Sequence, residues 1–110
     1  MELTKKVSEL CSSVGINFDV DETSFIFQFY SEYGQDFNCY IDLCNDKVSL
    51  CNNLRDWIDS FNCFDEARLW VDEDGHGKSG APYYYRDIVK DMGYCKRKIR
   101  SLLKLFRESI

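Results

Sequence analysis

The residues best suited to chemistry gather in a glycine-rich stretch of the chain, Asp72 to Gly80. Asp72, Asp74 and Gly75 resemble the start of a calcium loop, although tyrosines stand where its bidentate glutamate would be sought. Residues 75–79, Gly-His-Gly-Lys-Ser, are similar to the end of a phosphate loop, but Asp72 stands where that motif requires its first glycine. Neither motif is complete. The stretch therefore predicts a loop between two elements, with metal or phosphate binding as the alternative.

His76 is the single histidine of the chain, so a mechanism that needs a histidine as its general base would have to use it. A serine or cysteine hydrolase would need it beside an activated nucleophile, and the chain has no Gly-x-Ser-x-Gly motif. Paired carboxylates are plentiful, but an acidic chain supplies such pairs by chance. We therefore expect no catalytic residues, no metal and no cofactor, and a protein that acts by binding rather than as an enzyme.

The favoured binding surface joins this acidic loop to the aromatic run that follows it. Three consecutive tyrosines cannot all face a core, so at least one should be exposed, and tyrosine and arginine are common at interface hot spots. Exposed loops on a rigid scaffold often carry function. The alternative is that one of the later tyrosines packs against the sheet edge with its hydroxyl hydrogen-bonded. The predicted partner-binding residues are Asp72, Glu73, Asp74, His76, Lys78, Tyr83, Tyr84, Tyr85 and Arg86.

A second candidate surface is the basic end of the chain, from Lys96 to Arg107. This amphipathic segment suits contact with nucleic-acid phosphates or with an acidic partner. Positive side chains also suit the C-terminus of a helix and a solvated outer face, so the loop is preferred as the binding surface. A homodimer, with the basic helix of one copy against the acidic body of another, stays open. The candidate basic face comprises Lys96, Arg97, Arg100 and Lys104.

The charge is unevenly divided along the chain. Residues 1–85 hold 16 acidic and 6 basic side chains, a balance of −10, and residues 86–110 hold 3 and 8, a balance of +5. Together they give the net charge of −5. Such asymmetry bears on the choice of partner rather than on the fold. The acidic body disfavours general nucleic-acid binding, whereas the basic end leaves a local exception.

Length and composition limit the class of protein. The 110 residues fit one domain, 1–110, and 45% hydrophobic content suffices for a core. No apolar run approaches the ~20 residues that span a bilayer, and the N-terminal segment lacks the apolar region of a signal peptide. We therefore expect a cytoplasmic protein without membrane contact. Reduced thiols in or near the core, rather than disulfides or zinc ligands, are predicted for Cys11, Cys39, Cys44, Cys51, Cys63 and Cys95.

The first half of the chain predicts a helix followed by three strands. Apolar residues at spacings of four, three and four predict a helix that ends at Gly15. These residues are Leu3, Val7, Leu10 and Val14. Strict alternation over residues 16–21, 24–30 and 37–43, with short turns between, predicts an antiparallel meander. One of its faces should be packed and the other partly wet.

The second half predicts two helices with a strand between them. Asn45 and Asp46 suit the cap of a helix with an apolar side of Val48, Cys51, Leu54, Ile58 and Phe61. Alternation over residues 67–71 predicts a fourth strand, and Pro82 suits the first turn of the last helix. That helix carries a heptad seam of Ile88, Met92, Cys95, Ile99, Leu102 and Phe106. The order α-β-β-β-α-β-α predicts an α+β fold with helices packed mainly on one face of the sheet.

The segment from Asp65 to Met92, DEARLWVDEDGHGKSGAPYYYRDIVKDM, resembles a block in small uncharacterised proteins of Firmicute prophages and conjugative elements. Such acidic proteins include anti-CRISPR and anti-restriction inhibitors, some of which mimic nucleic acid. The resemblance implies an interaction protein that inhibits a bacterial defence system by stoichiometric binding, with a nuclease or its effector complex as the partner. The alternative is a small nucleic-acid-binding regulator that uses the basic helix.

Overall fold

The structure, a computed structural model, describes residues 2–70 and 84–110. Within them the fold is α+β, with four helices and a three-stranded antiparallel sheet. The predicted fold class is confirmed, whereas the predicted order becomes α-β-β-β-α-α-α because the expected fourth strand is a helix. The elements are α1 (Glu2–Ser13), β1 (Asn17–Val20), β2 (Ser24–Tyr30), β3 (Asp36–Asp42), α2 (Lys47–Ser60), α3 (Cys63–Leu69) and α4 (Tyr85–Ser109).

The sheet is a meander with β2 between β1 and β3, as the alternation predicts. Phe27 of β2 lies opposite Phe18 of β1 and Cys39 of β3, so apolar side chains line one face across all three strands. Gly15 after α1 and Gly34 in the β2–β3 turn have φ of +73° and +83°, left-handed values that favour glycine. These two glycines set the points at which α1 ends and β3 turns back along β2.

Buried side chains from α1, α2 and α4 pack under this apolar face, and α3 packs against α4. The ring of Phe106 in α4 lies 6.1 Å from that of Phe27, centroid to centroid, which joins the two layers at their centre. The predicted heptad seam of α4 is confirmed, since all six of its residues are buried. The opposite side of the sheet is left open by the described helices, so its polar residues face solvent.

Two details of the predicted helices differ from the structure. Val14 lies past the end of α1 and is exposed, so it does not continue the apolar stripe. In α2 the cap is confirmed, because the side chain of Asp46 accepts a hydrogen bond from the Ser49 amide at 2.8 Å. The cap fixes where α2 begins. With that start, Leu50 and Leu54 face the core, whereas Val48 is exposed. The prediction of Val48 as a core residue is therefore wrong.

The predicted fourth strand is also wrong over residues 67–70, and its last residue, Val71, lies outside the described residues. The side chain of Asn62 accepts hydrogen bonds from the amides of Phe64 and Asp65, at 2.9 and 3.1 Å, and thereby caps α3. Acidic Asp65 and Glu66 in the first turn add a favourable interaction with the helix dipole. Only Ala67 of α3 is fully buried. The apolar alternation that suggested a strand was too short to outweigh these capping signals.

The cysteines are all free thiols, as predicted. Four of them are buried, and Cys51 and Cys63 are half-buried. Burial raises the pKa of Cys11 to about 12, and burial together with the nearby Asp91 carboxylate raises the pKa of Cys95 to about 12. Both groups therefore stay protonated and unreactive near neutral pH, as core side chains of this kind do.

Asp91 is the one charged side chain in the described part of the chain that is fully buried. One carboxylate oxygen, Oδ1, accepts a hydrogen bond from the Tyr33 amide at 3.2 Å. The other, Oδ2, has no hydrogen-bond partner among the described residues. Asp91 thereby ties α4 to the β2–β3 turn, with one lone-pair site left unsatisfied.

Candidate functional site

Most of the predicted loop surface lies outside the described residues. This holds for Asp72, Glu73, Asp74, His76, Lys78 and Tyr83, and their binding role stays a prediction. Pro82 also lies outside them, and α4 begins only at Tyr85, so its first turn follows that proline. The predicted residues that the structure does describe are Tyr84, Tyr85 and Arg86, at the N-terminal end of α4.

These three residues differ in exposure and in the contacts that their side chains already make. Tyr84 is 63% exposed, which confirms that at least one tyrosine of the run faces solvent. The hydroxyl of Tyr85 donates a hydrogen bond to the Phe64 carbonyl at 2.9 Å, so this side chain ties α4 to α3. The guanidinium of Arg86 lies 5.2 Å from the Tyr84 ring centre and 3.8 Å from the carboxylate of Asp87. Tyr84 is therefore the best placed of the three for an intermolecular contact.

The predicted basic face of α4 is exposed except at one residue. The amine of Lys96 donates a hydrogen bond to the Phe61 carbonyl at 2.7 Å, where it caps the end of α2. Lys96 is thus half-buried and already hydrogen-bonded to the end of α2, and its part in a binding face stays a prediction. Arg97, Arg100 and Lys104 are exposed on one side of the helix, which helical spacing extends to Lys90 and Arg107. We call Lys90, Arg97, Arg100, Lys104 and Arg107 the basic stripe.

The basic stripe is not neutralised by the described part of the chain. Within residues 2–70 and 84–110, the ion pairs within 4.0 Å are Arg68–Asp65 and Arg86–Asp87, and neither involves a residue of the stripe. The carbonyl of Arg107 accepts a hydrogen bond from Lys47, which leaves its guanidinium free. Five positive charges therefore stand along the solvent side of one helix.

A surface that the sequence reasoning did not single out is the open face of the sheet. We call it the acidic sheet face and define it by the outward-facing residues of the three strands. Three aspartates occur among them, with no lysine or arginine, and two tyrosines are well exposed, Tyr30 at 69% and Tyr40 at 52%. Its members are Asn17, Asp19, Ser24, Ile26, Gln28, Tyr30, Asp36, Asn38, Tyr40 and Asp42.

The register places an apolar spot at the centre of the acidic sheet face. Ile26 of the central strand lies between Asp19 of β1 and Tyr40 of β3 and is 8% exposed, although it faces away from the main core. Asp36 and Asp42 lie near the two ends of β3, and among the described residues no basic group lies within 4.0 Å of them. The face therefore combines an apolar centre with an unpaired acidic margin.

The aspartates around this face do not all have free carboxylates. Asp21, in the turn that follows β1, accepts hydrogen bonds from the amides of Thr23 and Ser24, at 2.9 and 2.7 Å. The hydrogen bond from the Thr23 amide is the main reason that the pKa of Asp21 is lowered. Asp19 accepts a bond from the adjacent Val20 amide at 2.8 Å. Asp36 and Asp42 are therefore the better candidates for binding a cation.

A shallow groove of about 390 Å³ lies where the free edge of β3 meets α2. Tyr40 and Trp57 supply aromatic surface, and Asp42 and Asp56 supply carboxylates. Among the described residues, no lysine or arginine lines this groove. Aromatic rings and carboxylates together suit a guanidinium, through stacking and paired hydrogen bonds. The groove is continuous with the acidic sheet face through Tyr40 and Asp42.

A signal for this face was present in the sequence. Asn38, Tyr40 and Asp42 alternate with apolar residues along β3, which marks them as the outer side of the sheet. What alternation cannot show is that the described helices all lie on the other side of the sheet, since that depends on how the helices pack. The glycine-rich segment, residues 72–80, resembles parts of calcium-binding and phosphate-binding motifs, whereas the sheet face carries no sequence motif.

The described residues hold no group of three or more His, Cys, Asp or Glu side chains that could bind a metal ion. None of the helices in residues 2–70 and 84–110 is both long and apolar enough to cross a membrane. Comparison of the chain with family models, with curated proteins and with solved structures found no match.

Proposed function

We propose that the chain is a stoichiometric binding protein whose acidic sheet face docks on a basic surface of a partner protein. The observation that carries this proposal is the composition of that face, which holds three aspartates and two exposed tyrosines and no basic residue. Complementary charge steers such partners together, and exposed tyrosines supply contact area at low entropic cost. No catalytic step is involved.

The groove beside β3 would hold an arginine of the partner. Its two rings and two carboxylates offer the contacts that a guanidinium makes best, and Arg is enriched at the centres of interfaces. Tyr40, which is 52% exposed, would then be covered near the centre of the interface, beside the already buried Ile26, while Asp36 and Asp42 form its polar margin. This arrangement has the usual form of a specific interface, with an apolar centre and a polar rim.

The partner class that fits best is a nuclease or effector complex of a bacterial defence system. Basic surfaces of such enzymes exist to bind phosphates, so an acidic face that covers one would block the nucleic acid. The resemblance of residues 65–92 to proteins of mobile elements supports this choice. Acting on such a nuclease, the chain would work in the cytoplasm of a bacterial host.

The test compares two variants of equal charge change. Asp36→Lys with Asp42→Lys alters the acidic sheet face, and Glu2→Lys with Glu9→Lys alters exposed positions of α1 by the same amount. We expect affinity purification from the host to recover a nucleic-acid-binding nuclease, and the purified pair to form a 1:1 complex in which the nuclease no longer cleaves its nucleic-acid substrate. The sheet-face variant should bind roughly tenfold or more weakly, since it places like charges against the partner.

Two outcomes would overturn the proposal. One is equal loss of binding in both variants, which would show a dependence on net charge instead of on the face. The other is salt-sensitive self-association in sedimentation velocity that the sheet-face variant abolishes, which would make a second copy of the chain the occupant of this face.

A further inference from the structure

The basic stripe lies on the side of the molecule that faces away from the acidic sheet face. The seam of α4 packs towards the sheet, with Phe106 against Phe27, and the stripe occupies the opposite side of that helix. From Lys90 to Arg107 it extends about 26 Å at 1.5 Å per residue. Three of its five members are arginines, whose planar guanidinium groups pair with phosphate oxygens through two parallel hydrogen bonds.

The stripe has a gap at Gly93, which lies on the same side of α4. A side chain there would come within 3.3 Å of an Arg97 guanidinium nitrogen, so that guanidinium lies along the bare helix surface instead of extending into solvent.

An apolar groove of about 470 Å³ runs beside the stripe, between the end of α1 and the last turns of α4. Its lining is apolar at Val14, Ile16, Leu102 and Leu105 and polar at Lys98, Ser101, Lys104 and Glu108. Lys104 belongs both to this lining and to the stripe. A phosphate chain would therefore follow Lys104, while Glu108 offers an acceptor to a base.

The net negative charge of the chain does not prevent anion binding at this site. The stripe and the acidic sheet face lie on opposite sides of a molecule whose smallest extent is 23 Å. Exposed charges are screened beyond a Debye length of about 8 Å at physiological salt. A ligand at the stripe therefore meets mainly the local positive field.

From these features we infer that α4 binds single-stranded nucleic acid, with phosphates along the basic stripe and an unstacked base in the adjoining groove. Single strands expose the bases, whereas a duplex keeps them stacked inside, so the apolar groove favours a single strand. The site is independent of the acidic sheet face, and both could be occupied at once.

The experiment measures fluorescence anisotropy of labelled oligothymidylate and oligouridylate, each roughly 20 nucleotides long to cover the site, against increasing salt. Arg97→Ala with Arg100→Ala should lower the slope of log K against log salt by about 0.7 for each phosphate that these arginines no longer neutralise. The matched control is Lys5→Ala with Lys6→Ala, on exposed positions of α1, which should leave the slope unchanged.

The groove is tested by Leu105→Ser, and by Val14→Ser at a position that is already exposed, in case the first variant fails to fold. Either should weaken binding several-fold with an unchanged salt slope, because a base contact releases no counterions. Binding to either oligonucleotide supports the assignment. Equal salt slopes for the stripe and control variants, or a duplex bound as tightly as a single strand, would overturn it.

Discussion

The sheet side and the helix side of this protein carry opposite charge for different structural reasons. On the sheet side, a period of two sets Asp36 and Asp42 outward in the same strand as buried Phe37 and Ile41. On the helix side, spacings of three and four set Arg97, Arg100 and Lys104 along one line, opposite the buried seam. The sheet side is a broad face with an apolar centre, whereas the helix side is a narrow ridge.

The two shapes suit different kinds of binding partner. A broad face that combines rings and carboxylates can bury an interface centre, which specific protein contact requires. A ridge of positive charges matches a flexible polyanion and needs little buried area. In the sequence, an acidic segment (residues 1–85) is followed by a basic one (residues 86–110). In the fold, the acidic sheet face and the basic stripe lie on opposite sides.

The sheet side and the helix side share one core, so a substitution in that core should cause the largest loss of stability. Phe106→Ala removes a fully buried ring that contacts Phe27 across the layers, and should lower the free energy of unfolding by about 3–5 kcal/mol. Urea denaturation followed by circular dichroism measures it. Tyr40→Ala, at an exposed position, is the control and should change stability by less than about 0.5 kcal/mol. A loss for Phe106→Ala no larger than that of the control would contradict the packing described.

A smaller effect is expected at the tie between the β2–β3 turn and α4. Asp91→Ala removes the acceptor of the Tyr33 amide and should cost about 1–3 kcal/mol of unfolding free energy, since it leaves a part-buried donor unpaired. Asp91→Asn keeps an oxygen acceptor and should cost less. The same denaturation measurement compares them. An alanine variant more stable than the native protein would show instead that burial of the carboxylate, with Oδ2 unsatisfied, outweighs this hydrogen bond.

Long periodic segments made most of the fold predictable from the sequence. The seam of α4 repeats over six residues, and each of the three strands alternates cleanly, so neither depends on a single residue. The segment from Cys63 to Leu69 is only seven residues long. Over that length the alternation of Ala67, Leu69 and Val71 cannot be told from a helix without attention to the Asn62 cap.

The candidate sites were less predictable because they depend on what each polar side chain contacts. Lys96 and Arg97 are neighbours of similar charge, yet Lys96 caps α2 through the Phe61 carbonyl while Arg97 stays exposed. The acidic sheet face required knowledge of which side of the sheet the helices cover. Local sequence contains neither fact, since both arise when distant segments pack together.

The smallest change in stability is expected for substitution of Asp21, an aspartate in the turn after β1 whose carboxylate accepts hydrogen bonds within that turn. Its carboxylate accepts amide hydrogen bonds from Thr23 and Ser24, which lowers its pKa in the folded protein. The resulting stabilisation is complete above the unfolded-state pKa of about 3.9 and is lost as the pH falls through the lower folded-state pKa. Asp21→Ala should therefore lower the melting temperature slightly at neutral pH and by less near pH 2, as differential scanning calorimetry would measure. Asn38→Ala, at an exposed position of β3 that carries no ionisable group, is the control. An equal pH dependence in both variants would mean that the carboxylate of Asp21 is not its source.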